Sequence, residues 1–183
     1  AVTRGNGEIG EVITANARAF SNLPFSIPFK ERLVLRGEAV ISYPDFEKIK
    51  ESGFQQYYRE PFTKTMERLG NAYNGAYELW KQGIAAGIFR PEYHGTEHIS
   101  VWRLMKALQE GHKSTMLSFE NESVASPFFP DEPKIEHATA VFDIVKASDN
   151  DSLKTDIKVG LDMFDELLGY RAVQFTPGAA IYS

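Results

Sequence analysis

Apolar and polar residues alternate with period two along ERLVLRGEAVIS, the pattern of a half-buried strand, and we read residues 32–42 as one. Upstream, TRGNGEIGEV carries Gly5, Gly7 and Gly10 in positions suited to tight turns. YPDFEKIKESG then reads as a short helix, with Pro44 and Asp45 at its start and Gly53 at its stop. Helices dominate from Phe62 onward: Tyr73, Tyr77, Trp80 and Ile84 recur at helical spacing and the stripe closes at Gly87. IFRPEY predicts a short strand, and ISVWRLMKALQEG an amphipathic helix ended by Gly111. After the Pro-rich loop VASPFFPDEP, further helices are expected over residues 134–147 and 151–168, the second ended by Gly169. Phe142, Val145, Leu161, Phe164 and Leu168 form their predicted core stripe. YRAVQFTPGAAIY closes the chain as a strand and turn, and strands alternating with helices predict an α/β fold with a mainly parallel sheet.

Composition narrows the classes. At 183 residues, with 43% hydrophobic and 25% charged residues, one ordinary folded domain is the default. A net charge of −5 leaves no broad basic surface for a sequence-independent grip on nucleic-acid phosphates. The absence of cysteine removes disulfides and thiolate ligands, so a metal here must use His, Asp or Glu, and it fits a reducing compartment. No apolar run approaches the roughly 20 residues of a membrane span. The expectation is a cytoplasmic protein with no membrane partner, and both termini, Ala1 and the apolar FTPGAAIYS, read as cut ends.

The four histidines include a pair in HGTEH, His94 and His98, with Glu97 between them. Imidazoles at this spacing can converge on one cation. Pro91 and Gly95 place His94 at a strand end rather than in a helix, with the next helix starting near Thr96 as its N-cap. A strand's carboxyl end is where α/β folds place catalytic groups. One metal reading has His94 and His98 as two ligands completed by an Asp from an earlier strand, leaving a position open for water. The other takes H-x-x-E-H as an inverted metalloprotease motif with Glu97 as base, which needs one continuous helix and is opposed by Gly95. Against both stands the plain alternative: one histidine bonded to backbone and the other exposed. GHKSTMLSF completes neither a P-loop nor a Ser-His-Asp set, the carboxylates of DEP and DNDS read as capping residues, and His112 and His137 receive no role.

PDFEKIKESGF, YREPFTKTMERL, ELWKQGIAAGIFRPEYHGTEHISVWRLMKALQEG and DMFDELLGYRAVQFTPGAAIY resemble successive segments of a bacterial polysaccharide deacetylase-like family, over residues 44–183. The resemblance implies a partial, distorted β/α-barrel and a divalent metal, usually zinc, held by one Asp and the histidines of H-[ST]-x-x-H. It also implies hydrolysis of acetyl groups on a carbohydrate. Gly95 stands where that motif expects Ser or Thr. Arg171 and Pro177 lie near the position of a family Arg-x-Pro motif, at longer spacing, so Arg171 and Glu97 become candidates for supporting the ligands or touching substrate. The family's Asp pair has no counterpart, since Asp45 is the only aspartate before His94. Catalysis by this chain alone is therefore not expected.

The first third is similar to something else. TRGNGEIGE followed by LVLRGE resembles the adenylation domain of bacterial NAD-dependent DNA ligases. That resemblance implies NAD as cofactor, DNA as partner, and Arg4 and Glu38 as nucleotide contacts, a guanidinium suiting phosphate or a base face and a carboxylate suiting ribose hydroxyls. The plain alternative for VLRGEAV is an amphipathic strand with Arg36 and Glu38 exposed. The family's nucleophilic lysine would lie upstream of TRGNG, and no lysine precedes Lys30. The division expected is a strand/turn segment over residues 1–43 and a deacetylase-like α/β region over 44–183, joined at YPDFEKIKESG. A chimeric or mis-assembled chain, a generated sequence and a divergent family member all remain open. The leading expectation is an incomplete, inactive deacetylase-like domain; the alternatives are a nucleotide-binding ligase fragment and a globular chimera without catalytic function.

Overall fold

A computed structural model of the chain describes residues 35–124, 129–133, 135, 138–143, 147 and 149–178. In order these form β1 (Leu35–Val40), β2 (Ser42–Pro44), α1 (Phe46–Glu51), β3 (Arg59–Pro61), α2 (Phe62–Leu69), a 3-10 turn (Gly70–Tyr73), α3 (Ala76–Ala85), β4 (Phe89–Gly95), α4 (Val101–Gln109), α5 (Lys113–Glu120) and α6 (Asp149–Leu168).

β1 and β4 pair in parallel, Leu35 opposite Phe89 through Ala39 opposite Tyr93, and the register slips at Val40, which meets Gly95. Tyr93 makes a single further parallel bridge to Phe175. β2 and β3 form a separate antiparallel pair. The fold is thus mixed α/β with a small parallel sheet; no closed barrel forms among the described residues, and the expected partial barrel finds no support there. The physical reason lies at the bulge. There the chain leaves the parallel ladder, and the N–H groups of Ile41 and Ser42 both turn to the carbonyl of Thr96, at 3.2 and 2.9 Å. β2 then runs antiparallel to a different neighbour.

Helix ends follow local chemistry. Asp45 caps α1, its Oδ1 accepting the Lys48 N–H at 3.1 Å. α4 begins at Val101 with Ser100 as the residue before it, so the expected cap at Thr96 is corrected. Thr96 is instead buried, its carbonyl committed to Ile41 and Ser42. Gly111, at φ 69°, supplies the left-handed turn that ends this region, as its position predicts. α5 is a helix that no periodicity announced. The helix expected over residues 134–147 is not found in residues 138–143, which form turns. Ala140, Val141 and Phe142 are consecutive and all buried, wider than the stripe of an amphipathic surface helix. Val145 and His137 lie outside the described residues.

Two apolar clusters result. Ala39, Ile41, Tyr93, Phe164 and Leu168 pack together with Phe62, Tyr77, Trp80 and Ile84 against them, so α6 and α3 cover the parallel pair. Phe46, Ile49, Met105, Leu108 and Phe119 join α1, α4 and α5. Residues on both sides of position 43 therefore share one sheet and one core. No described helix is long and apolar enough to cross a membrane.

Candidate functional site

Pairing β1 with β4 aligns Glu38 with Glu92 and brings the carboxyl ends of both strands together. His94 follows at the bulge, and its Nδ1 lies 3.3 Å from Oε2 of Glu38 and 2.8 Å from the carbonyl oxygen of Thr176. A carbonyl only accepts, so Nδ1 carries the proton and donates. The ring of His98 lies 4.9 Å from that of His94, centroid to centroid. Burial, with the neighbouring His94 adding to it, holds His98 below the ordinary imidazole pKa. The strand end thus gathers Glu38, His94 and His98, residues that come from two different resemblances.

The described residues lend no support to the expected zinc site at the histidine pair. Among the described residues no group of three or more His, Asp or Glu side chains is arranged to hold a metal ion. The carboxylate nearest to the pair, Glu38, meets the protonated nitrogen of His94 rather than a lone pair. Gly178 lies so close that a Cβ there would stand 3.4 Å from Nε2 of His98. H-x-x-E-H as a protease motif fails as well, because His94 ends a strand and His98 sits in the turn before α4.

Glu97 points elsewhere. It is 1% exposed, accepts the Ser42 hydroxyl at 2.9 Å, and has Nε of Arg59 at 2.8 Å. Arg59 also pairs with Asp156 of α6. Burial raises the carboxyls of Glu97 and Asp156 above their usual range, and Arg59 draws each back only in part. The hydroxyls of Thr96 and Tyr93 are 2.9 Å apart, and burial pushes Tyr93 up to about 12. This cluster ties β3, the turn after β4 and α6 together, with Glu97 buried at its centre. Arg171 pairs with Asp162 at 2.8 Å on the surface of α6. Arg4 lies outside the described residues.

The sequence reading did not single out Glu92, Arg90 or Gln174. Glu92 is 4% exposed; its Oε1 takes Arg36 at 2.7 Å and Arg90 at 3.2 Å, and its Oε2 takes the N–H groups of Val173 and Gln174 at 3.0 and 3.1 Å. Arg36 also donates to Oε1 of Gln174 at 3.1 Å. The available signal was the alternation Arg90, Glu92, His94 along a strand, which places all of them on one face.

Comparison with known proteins bears on the first part of the chain. The DNA ligase of Lachnoclostridium phytofermentans is 65% identical over 49 residues, 27% of this chain and 8% of that protein. That of Ruminiclostridium cellulolyticum is 67% identical over 49 residues, again 8% of its length. That of Wolinella succinogenes is 50% identical over 56 residues, 31% of this chain and 9% of the relative. The matched stretch thus spans under a tenth of these curated relatives. No solved structure matches. These findings lend no support to the deacetylase-like reading of residues 44–183, nor to a carbohydrate substrate. What they support is a ligase-like first part: residues 1–73 match the family model of the NAD-dependent DNA ligase adenylation domain.

Proposed function

We propose that the chain binds an adenine nucleotide, NAD or AMP, at the carboxyl end of β1, with the carboxylate of Glu38 accepting the ribose hydroxyls. The observation that carries this reading is the placement of Glu38. It belongs to the segment that matches the adenylation-domain family, its side chain is 49% exposed, and it stands two residues before the carboxyl end of a parallel strand, beside Nδ1 of His94. Ligands of open parallel sheets gather at strand carboxyl ends, and a half-exposed carboxylate is a good acceptor for a vicinal diol. The fit is to the nucleotide's ribose; Arg4 is by resemblance a further nucleotide contact, to phosphate or a base face. Millimolar NAD or AMP should raise the thermal midpoint of the protein, and Glu38→Ala should remove the shift. An unchanged midpoint in the parent protein would refute the proposal.

A further inference from the structure

Arg36 and Arg90 stand directly opposite each other across the parallel pair, an arrangement of like charges that destabilises a sheet unless something compensates. The compensation among the described residues is one carboxylate, Glu92, which holds both guanidinium groups through Oε1. Its other oxygen is saturated by two backbone N–H groups. Within ion-pair distance two cations share one anion, and the next carboxylate on this face, Glu38, is turned to His94. Both arginine side chains remain open to solvent, 46% and 36% exposed, and both are held in place: Arg36 by Gln174 and Arg90 by the face of Tyr170, 4.3 Å from Cζ to the ring centroid. Held, outward-facing guanidinium forks that share one carboxylate suit a tetrahedral oxyanion.

Glu38 projects from the same face two residues further along β1, about 7 Å away by strand geometry. That separation matches the reach of a ribose 5-phosphate from its hydroxyls to its phosphorus. We infer that Arg36 and Arg90 together bind the phosphate of the nucleotide whose ribose meets Glu38, with Glu92 as the residue that positions both guanidinium groups. This rests on the nucleotide reading of Glu38 and adds to it a second subsite, half of which comes from β4, beyond the matched residues 1–73.

Calorimetric titration of the full chain with AMP, adenosine and inorganic pyrophosphate tests it. AMP should bind at least tenfold more tightly than adenosine, and the advantage should shrink as salt rises. Arg90→Gln should abolish the advantage while leaving adenosine affinity unchanged, and Arg90→Lys should retain part of it. Equal binding of AMP and adenosine to the parent protein overturns the phosphate subsite while leaving the ribose contact standing, and that comparison needs no variant. Pyrophosphate binding lost in Arg90→Gln, with neither AMP nor adenosine bound, supports the anion site and removes the nucleotide reading. Binding of none of the three overturns both.

Discussion

The carboxylate of Glu38 and Nδ1 of His94 lie 3.3 Å apart, joining the ends of two strands that no sequence motif links. Because the same nitrogen also donates to the Thr176 carbonyl at 2.8 Å, the neutral ring must keep its proton on Nδ1. Long-range nitrogen–proton correlation spectra at alkaline pH should therefore show His94 as the Nδ1–H tautomer. In Thr176→Pro the carbonyl remains and the tautomer should persist; a dominant Nε2–H form in the parent protein would contradict the geometry.

Gly160 is where α6 comes closest to the turn after β4: a Cβ built there runs into Thr96 Oγ1 and Tyr93 OH. Alanine improves helix propensity by about 1 kcal/mol, but here it must displace a buried hydroxyl pair. Gly160→Ala should destabilise the fold by about 1–3 kcal/mol, the usual cost of overpacking. Val159→Ala, one residue away and at a 38% exposed position, should change little. Urea midpoints of the two variants provide the comparison, and equal midpoints would mean that α6 sits further from β4.

Much of the secondary structure was legible because its signals are local. Asp45, Gly53, Gly87, Gly111 and Gly169 each stand at the element end that their chemistry predicts. The barrel was not legible from within, since it depended on how many strands pair and in which direction, and the bulge at Val40 decides that through a carbonyl more than fifty positions away in the chain. The histidine pair was found, yet its partners were not: Thr176 and Glu38 reach His94 only through tertiary pairing. Glu97 sat inside a motif that drew attention to metal chemistry, and its buried ion pair with Arg59 came from a strand that the motif does not include. Spacing along the chain says which side chains share a face, but not which of them face solvent.

The shared guanidinium of Arg59 has a pH consequence. Asp156 is held above its usual range mainly by burial, so the folded chain keeps that proton more readily than the unfolded chain does. For an acid raised in this way, its contribution to stability is fullest below the unfolded pKa of about 4 and declines as pH rises through the folded value. Asp156→Asn cannot titrate. The stability of the parent protein minus that of Asp156→Asn should therefore fall as pH rises above about 4, as followed by urea denaturation at several pH values. A difference that grows with pH would mean that Arg59 outweighs burial.

Glu92 is the residue whose isosteric replacement should be least tolerated. Four donors converge on it, two guanidinium groups at Oε1 and two peptide N–H groups at Oε2, and the side chain is 5% exposed. Glutamine has the same shape but only one acceptor oxygen, and its NH2 group must face either the arginines or the backbone N–H pair. Either orientation sets donor against donor and leaves two positive charges uncompensated. Glu92→Gln should therefore cost about 1–3 kcal/mol, the range for leaving buried hydrogen-bonding groups unsatisfied, since both guanidinium groups stay partly open to solvent. Adding Arg36→Gln in the same chain should recover part of that loss, because it removes one of the stranded charges. Denaturation midpoints of the single and double variants decide the matter: a Glu92→Gln protein as stable as the parent would show that the four contacts hold nothing together.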